Sequence, residues 1–174
     1  MSTPGGQHHL DKIVAGNEPV MIIHRITGGF LYRSGDAQLG YDVDYPGISK
    51  LWLWRVISEL TRDGNGVFRI ESYTETEETL YMTYPVLNGG TTWSKWLETD
   101  DQNVEQQRWY IVSAKEGGFA FVPCIATNYA LGIINRVIAY ACVRPNKLPY
   151  CGYIPLLNTW ELVLCQGETH IPAH

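Results

Sequence analysis

The segment Glu105–Val122, EQQRWYIVSAKEGGFAFV, carries the pattern that decides the fold. From Trp109 the side chains alternate in character, which is typical of a strand. One face is predicted to carry Trp109, Ile111 and Ser113, and the other Tyr110 and Val112. Glu-Gly-Gly at 116–118 predicts a turn, after which Phe119 and Phe121 resume the alternation. The segment is therefore predicted to be a β-hairpin whose first strand begins with a tryptophan.

The same construction occurs at two other places in the chain. Leu51–Ile70, LWLWRVISELTRDGNGVFRI, has a tryptophan, an alternating run, an Asp-Gly-Asn-Gly turn and a second run. Asn158–Cys165, NTWELVLC, repeats the first half of the pattern. The tryptophans that begin these runs are Trp54, Trp109 and Trp160, which are 55 and 51 residues apart. Self-similarity at a nearly constant period indicates an internal repeat.

Two further features recur with this period. An apolar position falls at Leu31, Leu80 and Leu131, which are 49 and 51 residues apart, and strand-like runs (PVMIIHR, GVFRIES and GFAFVPC) open the repeats. About four strands per repeat predict about twelve strands in one domain, residues 18–165, divided into repeats 18–62, 63–116 and 117–165. Residues 1–17 and 166–174 carry no pattern and are predicted to be flexible tails.

Three repeats of four strands resemble the β-trefoil. That resemblance implies an all-β domain with pseudo-threefold symmetry, in which six strands close a short barrel and three hairpins cap it. Trp54, Trp109 and Trp160 would then be structural, because they supply large rigid side chains to a shared core. An eight-stranded barrel or a sandwich does not explain a threefold period.

The tripeptide Gln107-Arg108-Trp109 resembles the Gln-x-Trp signature of ricin-B-type lectins. Asn158-Thr159-Trp160 is a softened form of it, whereas repeat one has Trp52-Leu53-Trp54. The resemblance implies a non-enzymatic, multivalent carbohydrate-binding protein with up to one shallow site per repeat and a defensive or toxic role. The expected partners are glycans or glycoproteins, and a homodimer is left open.

Sugar sites need an aromatic face for C–H patches and Asp, Asn or Gln side chains that bridge adjacent hydroxyls. Repeat two is the richest in such residues, in the stretch TTWSKWLETDDQNVEQQRW. The candidate carbohydrate-binding residues are Trp93, Trp96, Asp100, Asp101, Asn103 and Gln107 in repeat two, Asp42, Asp44 and Tyr45 in repeat one, and Asn146, Tyr150 and Asn158 in repeat three.

A different function is also compatible with this fold. The chain resembles, in outline, the trefoil protease inhibitors of the Kunitz type and the mycocypins. Such an inhibitor presents a rigid exposed loop to a cysteine or serine protease. Tyr84–Trp93 and Arg144–Tyr153 are the candidate loops, with Asn88 or Lys147 as the residue presented.

Composition and charge exclude several partners. The formal net charge of -5 argues against nucleic acid, which normally needs a basic face. No stretch reaches the ~18 apolar residues of a membrane span, and no secretory signal is visible, so a cytoplasmic or non-classically released protein is expected. The 4 cysteines contain no Cys-x-x-Cys pair and are expected to be reduced thiols.

Catalytic motifs are not visible in the sequence. Four of the 5 histidines fall in the expected tails, and His24, on an apolar strand, is predicted to be structural. The acidic stretch ESYTETEETLYM lacks the order of a calcium loop. Neither an enzyme nor a metal or other cofactor is expected.

Overall fold

The structure is a computed structural model, and it describes residues 4–33, 39–44, 52–73, 80–84, 92–94, 104–134, 137–142 and 154–165. Within these ranges, one α-helix precedes twelve strands. The elements are α1 (Pro4–Gly16), β1 (Val20–His24), β2 (Phe30–Arg33), β3 (Leu39–Asp42), β4 (Trp54–Arg62), β5 (Asn65–Ser72), β6 (Tyr81–Thr83), β7 (Thr92–Ser94), β8 (Trp109–Ser113), β9 (Phe119–Pro123), β10 (Tyr129–Ile134), β11 (Val137–Cys142) and β12 (Trp160–Leu164). Short 3-10 helices at Val104–Gln107 and Leu156–Asn158 precede β8 and β12.

Six strands close into a barrel. Neighbours pair antiparallel in the order β1, β4, β5, β8, β9 and β12. The last strand returns to the first, with Val20 opposite Leu164 and His24 opposite Trp160. The other strands pair as the hairpins β2–β3, β6–β7 and β10–β11. A closed six-stranded barrel with three hairpins is a β-trefoil, so the predicted all-β trefoil is confirmed.

The three repeated tryptophans occupy equivalent places. Each is fully buried, and its indole N–H donates to a main-chain carbonyl on the first strand of the hairpin in its own repeat. The bonds run from Trp54 to Leu31 (3.2 Å), from Trp109 to Met82 (3.1 Å) and from Trp160 to Leu131 (2.9 Å). The recurring position in repeat two is therefore Met82. Leu80 is buried in the main core as predicted, but the residue equivalent to Leu31 and Leu131 lies two positions later.

A second set of main-chain bonds links the repeats in a cycle. In each, the residue just before a tryptophan accepts from the residue just after the first strand of the next repeat. The bonds are Leu53 O with Tyr73 N (2.9 Å), Arg108 O with Cys124 N (3.0 Å) and Thr159 O with Arg25 N (3.2 Å). The third bond joins repeat three to repeat one, so the cycle closes as the barrel does.

The hairpin predicted within residues 105–122 forms as strands β8 and β9. Ile111 pairs with Phe121 across β8 and β9, and Trp109, Ile111 and Phe121 point into the main core. Tyr110 and Val112, on the opposite face of β8, are also buried, in a second apolar cluster. The alternation is confirmed, but both faces of the strand are covered.

The N-terminal segment is helical, so the prediction of a flexible tail over residues 1–17 is wrong for residues 4–16. Leu10 and Ile13 are each 1% exposed and belong to the main core. The ring of His9 lies against Phe119, and its Nε2 donates to the carbonyl of Leu162 (2.7 Å). The apolar stripe of this short helix is too brief to stand out as a period. The other predicted tail, 166–174, lies outside the described residues.

Among the described residues, no helix has the length and the apolar character that a membrane span needs.

Candidate functional site

The predicted sugar-binding residues differ in where the structure places them. Asp42 and Asp44 are exposed at the end of β3, where Asp42 Oδ1 accepts from the main-chain N–H of Asp44 (2.9 Å). Trp93 lies in β7, but its side chain is not among the parts of the chain described. The candidates that fall outside the described residues are Tyr45, Asn88, Trp96, Asp100, Asp101, Asn103, Asn146, Lys147 and Tyr150.

Gln107 and Asn158 are buried, which corrects the prediction that they contact a sugar. Gln107 is 0% and Asn158 2% exposed, and neither offers a surface to a ligand. Asn158 Nδ2 donates to the carbonyl of Ala130 (2.7 Å), and the corresponding residue of repeat one, Trp52, is also 0% exposed. The position two residues before each tryptophan is thus a core position. A sequence motif cannot separate that role from ligand contact, since both require a fixed side chain.

The structure brings together a different group in repeat one, which the sequence did not predict. The hydroxyls of Thr27, in the turn after β1, and Tyr41, on β3, are hydrogen-bonded to each other at the surface. The ring of Tyr41 lies over Gly29, where an added Cβ would come within 2.5 Å of ring atoms. Gly29 is therefore required for this close approach. The pairing of β2 with β3 creates this contact between residues 14 positions apart.

The buried side chain of His24 is hydrogen-bonded to the Thr27 hydroxyl of this pair. His24 is 0% exposed, and its ring packs on Trp160 with centroids 4.9 Å apart. Its Nδ1 lies 2.8 Å from Thr27 Oγ1, and its Nε2 lies 2.8 Å from the carbonyl oxygen of Leu157. Burial lowers the pKa of His24, although the hydrogen bond to Leu157 acts in the opposite direction. The predicted structural role of His24 is confirmed.

Exposed aliphatic side chains belong to the two segments that His24 joins. The two nitrogens of the His24 ring bind Thr27 Oγ1 and the main-chain carbonyl of Leu157, so the turn after β1 and the 3-10 helix at Leu156–Asn158 contact opposite sides of the ring. Ile26 is 53%, Leu156 46% and Leu157 43% exposed. We call Ile26, Thr27, Tyr41, Leu156 and Leu157 the Thr27–Tyr41 site. It combines fixed hydroxyls with apolar surface, the two features that a sugar-binding surface needs.

Arg25 fixes the start of the turn that carries Thr27. Its Nε is 2.8 Å from a carboxylate oxygen of Glu161, and its Nη1 donates to the carbonyls of Gly117 (2.8 Å) and Glu116 (3.2 Å). These contacts tie the turn of repeat one to β12 and to the β8–β9 turn. The turn that carries Thr27 is therefore held at its start by one ion pair and two hydrogen bonds.

A second polar cluster lies where repeats one and two meet. Both carboxylate oxygens of Glu105 accept from Arg62 (2.8 Å each), and Oε1 also accepts from Arg108 (2.6 Å). The bond to Arg62 is the largest effect that lowers the pKa of Glu105, to about 2. Nearby, Cys124 is a free, half-buried thiol whose pKa burial raises to about 12, so it is unreactive near neutrality. We call Arg62, Glu105 and Arg108 the clamp, because their hydrogen-bonded charges join repeats one and two.

Metal-ligating side chains do not converge in the described part of the chain: no group of three or more His, Cys, Asp or Glu residues there could hold an ion.

Solved structures with the same fold provide the comparison with known proteins. No family model matches the chain, and no curated protein matches its sequence. A GlcNAcα1-4Gal-releasing endo-β-galactosidase from Clostridium perfringens aligns with a TM-score of 0.61 at 20% identity, over 86% of this chain and 33% of that one. The BEL beta-trefoil aligns with a TM-score of 0.61 at 12% identity, over 85% of this chain and 93% of that one. A mosquitocidal holotoxin aligns with a TM-score of 0.62 at 14% identity, over 87% of this chain and 17% of that one.

These likenesses establish the fold. The chain is a β-trefoil protein, similar over nearly its whole length to the BEL beta-trefoil. It spans a third of the length of the endo-β-galactosidase and a smaller share of the holotoxin, so it corresponds to one part of each of those larger proteins.

Proposed function

We propose that this β-trefoil protein binds carbohydrate without catalysis, through the Thr27–Tyr41 site. The observation that carries the proposal is the surface pair of hydroxyls, held by a buried histidine that joins two segments with exposed aliphatic side chains. A sugar presents hydroxyls in a fixed array together with apolar C–H patches, and this surface is complementary to both.

Rigidity supports binding at this site. Thr27 is bonded to His24, and Tyr41 is bonded to Thr27 and packed over Gly29, so both side chains are ordered before a ligand arrives. A preordered surface avoids the entropy cost of fixing side chains on binding. Binding is favoured over catalysis because both ring nitrogens of His24 are already hydrogen-bonded, which leaves neither directed at a bound ligand.

One structural neighbour supports the choice of ligand. The endo-β-galactosidase that shares the fold acts on a carbohydrate and releases GlcNAcα1-4Gal. We carry over from it only the class of ligand, because the identity is 20%.

In the part of the chain that the structure describes, the histidine of the Thr27–Tyr41 site has no counterpart in repeats two and three. The cyclic main-chain bonds show that Ser72 and Pro123 are the equivalents of His24, since each directly precedes the residue whose N–H donates to the preceding repeat in the cycle. The side chain of Pro123 makes no hydrogen bond, and Ser72 Oγ instead accepts from Arg33 Nη1 (3.1 Å) and from the main-chain N–H of Leu80 (3.2 Å). We expect one ligand per chain at this site, and multivalency would require further sites or a homodimer.

The proposal is tested on a glycan array with the wild-type protein and two matched variants. Tyr41→Ala is expected to lose the wild-type signals. Tyr32→Ala removes a half-buried tyrosine from the other side of the same hairpin, and it should keep them. Circular dichroism verifies that both variants fold. A blank wild-type array contradicts the proposal, and nanomolar inhibition of a papain-like or trypsin-like protease with a blank array would favour an inhibitor instead.

A further inference from the structure

We propose that His24, acting through Thr27, fixes the Tyr41 hydroxyl as a hydrogen-bond acceptor toward the ligand, so that the site selects a glycan hydroxyl able to donate. The inference rests on the proposed function and adds a specificity rule to it. His24 is a positioning residue, since it is fully buried and reaches the ligand only through the other two side chains.

The direction of each hydrogen bond follows from its partners. The carbonyl of Leu157 can only accept, so the Nε2 atom of His24 carries a proton. In the neutral ring, Nδ1 then has a lone pair and accepts. The hydroxyl of Thr27, 2.8 Å away, therefore donates its single proton to Nδ1.

The oxygen of Thr27 has two lone pairs left once its proton is committed. One accepts from the main-chain N–H of Gly29, at 3.3 Å. The other accepts from the Tyr41 hydroxyl, which has to be the donor because Thr27 has no second proton. Each donor and acceptor of Thr27 Oγ1 is then used once.

These hydrogen bonds fix the direction in which the Tyr41 hydroxyl donates its proton. Its proton points inward to Thr27, which leaves only lone pairs on the outward side of the phenolic oxygen. A ligand hydroxyl that donates there gains a hydrogen bond. A ligand group that can only accept places one lone pair against another and leaves both oxygens unsatisfied. A phenol hydroxyl that could rotate would bind either group, so the orientation comes from the Thr27–His24 pair.

The experiment uses the glycan that gives the strongest array signal, together with its set of single deoxyfluoro analogues. A fluorine at the place of a hydroxyl accepts but does not donate. With the wild type, we expect one position at which fluorine weakens binding about tenfold or more, measured by isothermal titration calorimetry. Tyr41→Phe and Thr27→Val should lose this discrimination, whereas Thr27→Ser, which keeps the hydroxyl, should retain it.

Tyr32→Phe is the matched control, because it removes a hydroxyl from the same hairpin outside the site, and it should leave the fluorine profile unchanged. Nitrogen NMR shifts should identify His24 as the neutral Nε2–H form, which a purely packing role does not require. An unchanged profile in Tyr41→Phe, or equal profiles in Thr27→Val and Thr27→Ser, overturns the inference while the array signals still support carbohydrate binding. A blank wild-type array overturns both.

Discussion

At the scale of single residues, the three tryptophans contribute hydrogen bonds as well as bulk. Their spacing in the sequence predicts three equivalent core positions. It does not reveal that each indole N–H reaches the main chain of a hairpin, because the lengths of the connecting stretches differ between repeats. The step from Trp54 back to Leu31 is 23 residues, and that from Trp160 back to Leu131 is 29. Because of this variation, the period in the sequence does not separate Leu80 from Met82.

Replacing each tryptophan by phenylalanine tests this equivalence. Each variant leaves a buried carbonyl without its donor and removes part of a packed ring, so each should lower the free energy of unfolding by about 2–4 kcal/mol. Chemical denaturation of Trp54→Phe, Trp109→Phe and Trp160→Phe measures the cost. A loss below ~0.5 kcal/mol in any one of them would mean that its indole bond is not equivalent to the others.

At the same scale, burial gives Gln107 and Asn158 a structural role in place of the predicted contact with a sugar. The sequence motif correctly singles out these two amide side chains, but the prediction that they bind a sugar is wrong because both are buried. Amide side chains bridge sugar hydroxyls and buried carbonyls with the same donor, and only the fold tells which partner is present. The Thr27–Tyr41 contact was unpredictable for a related reason, since it depends on the pairing of β2 with β3.

At the scale of elements, the N-terminal segment was predicted to be a flexible tail, whereas α1 packs its apolar residues into the main core. The barrel strands could be predicted, because alternation over five or more residues is a strong signal. The helix offers only a few apolar positions among thirteen residues, and its burial depends on a barrel that the local sequence does not encode.

A matched pair of alanine variants tests the contribution of the helix. Leu10→Ala removes a side chain that is 1% exposed in the main core, so it should cost about 2–4 kcal/mol of unfolding free energy. Lys12→Ala, on the exposed side of the same helix, should change it by less than ~0.5 kcal/mol. Urea denaturation followed by tryptophan fluorescence compares the two. Equal stability of both variants and the wild type would show that α1 does not support the core.

The clamp of Arg62, Glu105 and Arg108 joins elements from repeats one and two, and its strength should depend on pH. The pKa of Glu105 is about 2 in the folded protein and 4.5 ordinarily, so its stabilising effect is present above pH 4.5 and is lost as pH falls toward 2. The side chain is 34% exposed, so solvent screening limits the effect to about 1 kcal/mol or less.

Glu105→Gln should therefore be less stable than the wild type at pH 7, and the difference should shrink as the pH is lowered to about 2.5. Thermal melts over this range provide the measurement. Repeating them in 1 M salt, where screening shortens the reach of charges to about 3 Å, should also reduce the difference. A difference that stays constant from pH 7 to pH 2.5 would contradict the clamp.

At the scale of the whole molecule, closure is the property that gives the site its rigidity. The cyclic main-chain bonds and the barrel ring bring Leu157 of repeat three beside His24 of repeat one. His24 and Leu157, which are 133 positions apart in the chain, are thus joined by one hydrogen bond. The threefold period in the sequence predicted the barrel. It could not predict the features that are particular to repeat one, such as His24 where the other repeats have Ser72 and Pro123, because these equivalences follow from the main-chain bonds between repeats.

Binding at the repeat-one surface is tested most directly by a nitrogen-labelled NMR titration with the best glycan from the array. We expect one ligand per chain, with the largest amide shift changes at Thr27, Gly28, Gly29 and Tyr41. Tyr41→Ala should abolish these changes while the rest of the spectrum keeps its folded dispersion. Saturable binding whose shift changes fall only in repeats two and three, with the turn after β1 unaffected, would contradict the account.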